Sequence, residues 1–190
     1  MNTIRRGTLS DIPRIGGIYD HILAQEERGE ASIGWARGVY PTEQTALAAL
    51  EAGTLFVLEE EGSVAAAAKI DQEQVPEYAG APWRYPHVPP SQVMVLHTLV
   101  VDPAFAGRGF GTRFVAFYEE HARERGCPYL RMDTNARNTA ARRLYARLGY
   151  WEAGIVPCVF NGIPGVQLVC LEKVLEEGAV SALAKPGEKE

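Results

Sequence analysis

Gly107, Gly109 and Gly111 stand two residues apart in the run Val101-Asp-Pro-Ala-Phe-Ala-Gly-Arg-Gly-Phe-Gly-Thr112, directly after an apolar stretch. A strand that ends in a glycine-rich turn and restarts as a helix gathers free backbone N–H groups and the positive end of a helix dipole at one spot. Glycine there leaves no Cβ between the backbone and a bulky anion. The chemistry indicated is capture of a phosphate-bearing ligand, against the plainer alternative of a tight strand–helix turn. Two familiar phosphate turns fit poorly. A nucleoside-triphosphate loop needs Lys-Ser/Thr after its last glycine, where this chain has Thr112-Arg113. A dinucleotide fingerprint needs G-x-G-x-x-G with an acid about 20 residues on. Asp133 stands near that distance, but the two-and-two glycine spacing fails the pattern.

Downstream, Tyr129-Leu-Arg-Met-Asp-Thr134 reads as a strand, and Asn138 suits the N-cap of a helix over Thr139–Leu148. Ala140, Ala141, Leu144, Tyr145 and Leu148 fall on one face at helical spacing, and Gly149 closes the helix. With these two segments in this order, residues 93–152 resemble the GNAT superfamily of acetyl-coenzyme-A-dependent N-acetyltransferases. Val-Asp-Pro-x-Phe-x-Gly-Arg-Gly-Phe-Gly is similar to that family's pyrophosphate motif. Asn138-x-x-Ala-x-x-x-Leu-Tyr145-x-x-Leu-Gly-Tyr is similar to its second cofactor motif. The resemblance implies an α/β (α+β) fold, a mixed and mostly antiparallel twisted sheet of about seven strands flanked by about four helices. It also implies transfer of an acetyl group from acetyl-CoA, as acyl donor, to a primary amine of a small molecule, amino acid or peptide. Transfer is expected to be direct, in a ternary complex and without a metal. A non-catalytic acyl-CoA-binding sensor is the alternative.

That reaction needs a proton acceptor, because a free alkylamine of pKa near ~10 is mostly protonated at neutral pH. His97, inside the strand leading to the phosphate turn, is the candidate base; imidazole titrates near neutrality, and Leu-His-x-Leu-x-Val resembles the matching strand of aralkylamine acetyltransferases. Tyr145 is the candidate acid for the departing thiolate, as its family counterpart implies. A backbone N–H near Val101 is expected to polarise the carbonyl oxygen. By the same resemblance, Leu99, Val100 and Val101 pair with the pantetheine arm. Gly107, Arg108, Gly109, Phe110, Gly111 and Thr112 take the pyrophosphate, and Asn138 reaches the pantetheine or phosphate region. Two positions depart from the family pattern. Ala106 stands where many members carry Arg or Gln, and no glutamate occupies the central strand, which leaves His97 or a water chain to remove the proton.

The remaining elements must position these groups. A chain of 190 residues, 46% apolar, can bury one core, so residues 1–175 are expected to form a single domain with 176–190 as a flexible tail. A net charge of −5 argues against nucleic-acid or anionic-membrane partners. Cys127, Cys158 and Cys170 are few and unclustered, which indicates neither a disulfide framework nor zinc; Cys158 alone is worth watching as a nucleophile. No signal-like segment or bilayer-length apolar run is evident, so a cytoplasmic protein is expected, with a second copy of the chain as a candidate partner in a homodimer. Strands are expected over Thr3–Arg6, Leu55–Glu59, Val64–Ile70 and Gln92–Val101, and near 129–134, 150–156 and 166–174. Helices are expected after Ser10 or Asp11, from Pro41 to Ala52 with proline in the first turn, and over Thr112–Arg125. The connection from Asp71 to Ser91 is unusually long and holds Pro76, Pro82, Pro86, Pro89 and Pro90 among Tyr78, Trp83, Tyr85 and His87. It is expected to shape the acceptor pocket or a subunit contact. Trp35, Arg37, Tyr40 and the region Cys158–Gly165 are the other expected contributors to that pocket.

Overall fold

β4 (Val93–Val101) is the strand around which the molecule is organised. To one side it pairs antiparallel with β3 (Ser63–Asp71); beyond lie β2 (Leu55–Glu60) and β1 (Thr3–Arg6). To the other side it runs parallel to β5 (Tyr129–Asn135), which pairs antiparallel with β7 (Ile163–Val174), itself paired with the edge strand β6 (Trp151–Phe160). The sheet has seven strands in the order β1-β2-β3-β4-β5-β7-β6. With α1 (Ile12–Glu27), α2 (Glu43–Glu51), α3 (Phe110–Glu124) and α4 (Thr139–Arg147), it is the mixed, mostly antiparallel architecture expected from the sequence. This computed structural model describes residues 3–176; of the tail expected over 176–190, residues 177–190 lie outside them. No helix among the described residues is long and apolar enough to cross a membrane.

Period-two alternation divides the apolar residues between the two faces of the sheet. Phe56, Leu58, Met94, Leu96, Leu130 and Met132 pack under Phe114, Val115 and Tyr118 of α3. On the opposite face, Leu55, Val57 and Ala67 meet Ile15, Ile18 and Ile22 of α1. Beside that cluster, Val93, Val95, Leu168 and Cys170 are covered by Tyr78 and Trp83 of the long connection.

The break in alternation that matters for the site lies in the middle of β4. Ala67 pairs with Val100 and Lys69 with His97, so Thr98 and Leu99 together oppose the single residue Ala68. The extra residue is a β-bulge with Thr98 at φ 51°, an uncommon conformation for a β-branched residue. Before it Leu96 faces the α3 cluster; after it Val100 faces the α1 cluster. Pairing with β5 also stops here, at Leu96 and Met132, and beyond that point the two strands form no further ladder pairs.

Several boundaries differ from expectation. α3 begins at Phe110 rather than Thr112, because Gly109 already serves as N-cap at φ 78°. α2 begins at Glu43 with Thr42 as N-cap, which leaves Pro41 outside the helix. Asp11 does precede α1, but its carboxylate turns back to the Thr8 N–H and to Arg5 instead of capping the helix. β6 and β7 extend as one long hairpin to Phe160 and Ile163, turning through Asn161-Gly162 at φ 49° and 77°. That is the positive-φ pair of a tight two-residue turn. Pro157 is tolerated because β6 lies at the sheet edge. The 72–91 connection is not a pocket wall: two short 3-10 turns, Pro76–Gly80 and Pro90–Gln92, fold it onto the sheet.

Candidate active site

Where β4 and β5 part, a cavity of about 620 Å³ opens between the strand ends. The glycine turn forms one flank. Gly107 and Gly109 sit at φ 77° and 78°, where an L side chain would be strained, and a Cβ at either would meet nothing. They are glycine because of backbone conformation, not crowding. Gly109 gives α3 no side-chain cap, so the N–H groups of its first turn, at Phe110, Gly111 and Thr112, are left to a ligand. Leu144 of α4 closes this flank against Gly111, whose Cβ position lies 3.3 Å from Leu144 Cδ2.

The structure brings most of the expected residues together. Leu99, Val100, Val101, Gly107, Gly109, Phe110, Gly111, Thr112, Asn138 and Tyr145 all line the cavity. Asn138 is also the N-cap of α4: its side-chain oxygen accepts the Ala141 N–H at 3.1 Å. Arg108 points elsewhere, donating to Glu60 at 2.6 Å and lying over the Phe105 and Phe110 rings. Tyr145 is buried, and burial followed by the nearby Asp133 charge raises its hydroxyl pKa, so it stays protonated at neutral pH.

His97 does not line the cavity. It precedes the bulge, and its Nε2 lies 3.1 Å from Asp71 Oδ1. Burial pushes the Asp71 carboxyl up, but His97, the Glu73 N–H and Lys69 together outweigh it and hold the carboxyl low. Asp71 is therefore a carboxylate, and His97 Nε2–H donates to it, leaving Nδ1 as the free ring position.

The cavity holds an acid that sequence reasoning had set aside. Asp133 lies on β5 just past the last ladder pair with β4. Burial raises its carboxyl pKa to about 6, against the opposing pull of the Tyr78 hydroxyl and of His97; Glu77 adds a small push upward. Tyr78 donates to Asp133 Oδ2 at 2.7 Å. The other titratable groups that feel this carboxylate are Tyr40, Tyr145, Cys158 and Cys170. A carboxylate held near neutrality in a cleft can take a proton from an ammonium at physiological pH. Position five before Asn138, at the end of a parallel strand, was the available signal.

The other flank is mainly apolar and aromatic, with the uncharged Gln25, Asn135 and Asn161 among its residues. Trp35 and Tyr40 meet edge to face at 5.9 Å, and the Tyr40 hydroxyl bonds the Thr98 hydroxyl at the bulge. Phe160, Asn161 and Ile163 reach in from the β6–β7 arm. Arg37 is not part of it: its guanidinium spans Asp20 and Glu27 on the surface. Asp102 borders the cavity but is already engaged by Arg14, by His21 at 3.1 Å and by the Ala104 N–H at 2.9 Å. Cys158 lies outside the lining, and its thiol pKa is raised by burial and by Glu77 and Asp133.

Comparison with known proteins agrees with this geometry. Residues 20–150 match the acetyltransferase (GNAT) family. The N-alpha-acetyltransferase RimI of Mycobacterium tuberculosis is 40% identical over 78 residues, 41% of this chain and 46% of that protein. The chain spans between 21% and 46% of the length of the curated relatives it matches. A GNAT-family acetyltransferase of Streptococcus agalactiae superposes with a TM-score of 0.78 at 21% identity, covering 93% of this chain and 96% of that one. An acetyltransferase of Salmonella typhimurium, solved with its cofactor acetyl-CoA, gives a TM-score of 0.67 at 23% identity over 94% and 96%. A glycine turn over an uncapped helix start, a cleft where parallel strands part, and a family match over residues 20–150 agree: this chain belongs to the acetyltransferase (GNAT) family.

Proposed function

We propose that this protein is an acyltransferase that moves an acetyl group from acetyl-CoA to a primary amine by direct transfer. The observation that carries the reading is the shared cavity: a turn built for an anion, a buried tyrosine and a carboxylate of pKa about 6 line one space. The residues present fit acetyl-CoA. The N–H groups at Phe110, Gly111 and Thr112 suit its pyrophosphate, and the backbone of Leu99–Val101, which has no strand partner on the β5 side, suits its amide-bearing arm. When bound, acetyl-CoA supplies the activated acetyl group.

The chain's own groups then have distinct tasks. Asp133 takes the proton that the acceptor ammonium must lose before its nitrogen attacks. An N–C bond forms as the C–S bond breaks; Tyr145 donates its hydroxyl proton to the departing sulfur, and the second proton shed by the nitrogen passes to solvent, which restores the Tyr145 hydroxyl. The backbone near Val101 is aimed at the carbonyl oxygen. His97, bonded to Asp71, sits one step behind Asp133 and acts on its charge; it is the base only if water links its Nδ1 to the cavity. A covalent acyl-enzyme is disfavoured, since Cys158 stands outside the cavity with a raised thiol pKa.

The test is release of coenzyme A thiol with a panel of amines, for wild type, Asp133→Asn, His97→Ala and Tyr145→Phe. Loss of about 100-fold or more in kcat for Asp133→Asn and Tyr145→Phe, with acetyl-CoA affinity retained, is expected. A larger loss for His97→Ala than for Asp133→Asn would return the role of base to His97. Tight acetyl-CoA binding with no turnover on any amine would favour a sensor.

A further inference from the structure

The two flanks of the cavity differ in charge, and this bears on the acceptor. Arg147 is the one cation among the described lining residues, and it belongs to the phosphate flank. It sits on the last turn of α4, three residues beyond Leu144, which closes against Gly111. The opposite flank is walled by Ile33, Trp35, Tyr40, Phe160, Ile163 and Leu168, and its polar members Gln25, Asn135 and Asn161 carry no charge. Its ionisable acid is Asp133; the second bordering acid, Asp102, is paired with Arg14 and hydrogen-bonded to His21. The arm tip and the 33–40 segment face each other here: Val39 Cγ1 lies 3.3 Å from the Cβ position of Gly162.

The geometry points to an acceptor whose amine is carried on an apolar body with no carboxylate beside it. This rests on the acetyltransferase reading above and narrows it. The ammonium enters as a cation and finds its counter-charge in Asp133. The body gains by burial against the aromatic and aliphatic walls. A carboxylate on the same carbon would bring a second negative charge to Asp133, with no cation among the described residues that line that flank. Like charges so placed are a strong element of rejection. Free α-amino acids are therefore poor acceptors. Simple amines, amino-acid amides and peptide N-termini remain, since their neighbouring group is neutral.

Three acceptors that differ at one substituent test this with the wild-type protein: phenethylamine, phenylalaninamide and phenylalanine, with lysine and glutamate as charged-bodied controls. Thiol release gives kcat/KM, and mass spectrometry of the product confirms N-acetylation. Phenethylamine has the most basic amine of the three, so its preference cannot come from easier deprotonation. Phenylalaninamide keeps the bulk of phenylalanine without its charge. The expected result is a kcat/KM about tenfold or more higher for both phenethylamine and phenylalaninamide than for phenylalanine. Equal rates for phenylalanine and phenylalaninamide would overturn the inference while leaving the enzyme reading intact. The same holds if phenylalaninamide is as poor as phenylalanine, since bulk would then decide, or if turnover is confined to lysine or glutamate. No thiol release with any of the five would overturn the acetyltransferase reading itself, and this inference with it.

Discussion

Asp133 carries a cost that its catalytic task explains. Its carboxyl titrates at about 6 in the folded protein, where an unperturbed aspartate titrates at 3.8. The folded state thus holds this proton more tightly than the unfolded chain, so stability from this group is full below pH 4 and declines as pH rises through 6. The difference sets an upper bound of about 3 kcal/mol on the penalty at neutral pH. Asp133→Asn is therefore expected to raise Tm at pH 7.5, with the gain gone by pH 4, while abolishing turnover; thermal melts at both pH values check this. For the wild type, kcat/KM is expected to fall as pH drops below about 6, the point at which Asp133 becomes protonated. At this scale the sequence was legible at the motif residues Asn138 and Tyr145 and where conformation restricts residue type. Gly107 and Gly109 stand out because positive φ selects glycine. Asp133 did not, because an aspartate in an apolar strand reveals its raised pKa only once β4 and β5 are seen to part beside it.

The 72–91 connection acts through one atom. None of its residues lines the cavity, yet the Tyr78 hydroxyl bonds Asp133. Tyr78 is fixed in turn: its ring meets Trp83 edge to face at 5.1 Å, and its carbonyl accepts the Trp83 Nε1–H at 2.8 Å. That hydrogen bond stabilises the carboxylate form of Asp133. Tyr78→Phe is expected to move the acidic limb of the kcat/KM profile to higher pH without weakening acetyl-CoA binding; a purely structural role would lower rates with no shift of the limb. On the phosphate flank, Gly109→Ala forces a Cβ into left-handed backbone at the N-cap of α3. A loss of about 1 kcal/mol in stability and a several-fold weaker acetyl-CoA affinity are expected, measured by melting and by titration calorimetry. Element types were readable from alternation and helical spacing. The length of the β6–β7 arm was underestimated, although Asn161-Gly162 between apolar runs is a strong hairpin signal.

Across the whole molecule, the connection is anchored by a buried ion pair. Arg131 of β5 and Glu172 of β7 lie 3.2 Å apart, both buried. Arg131 also stacks over Trp83 at 4.1 Å and donates to the Tyr85 carbonyl, while Glu172 accepts the Arg84 N–H at 3.0 Å. Removing one partner strands the other charge in the interior. Glu172→Ala is expected to cost about 3–5 kcal/mol, read as a lowered denaturant midpoint, and to release the connection to proteolysis. From the sequence, Arg131 and Glu172 read as ordinary strand charges, because only the β5–β7 pairing and the fold-back of the connection place them together.

The bulge in β4 has one more consequence. Leu99, Val100 and Val101 are all apolar and both faces of the sheet are covered, so hydrophobic burial alone accepts either phase of this segment. The polar residues at its two ends make the choice: Thr98 is held by the Tyr40 hydroxyl, and Asp102 by Arg14, His21 and the Ala104 N–H. Greasy side chains make β4 a strand, whereas two polar moorings decide which side of it looks into the cleft. The spacing between those moorings is therefore more tightly constrained than the identity of anything between them, and loss or gain of a single residue there would do more harm than any apolar exchange.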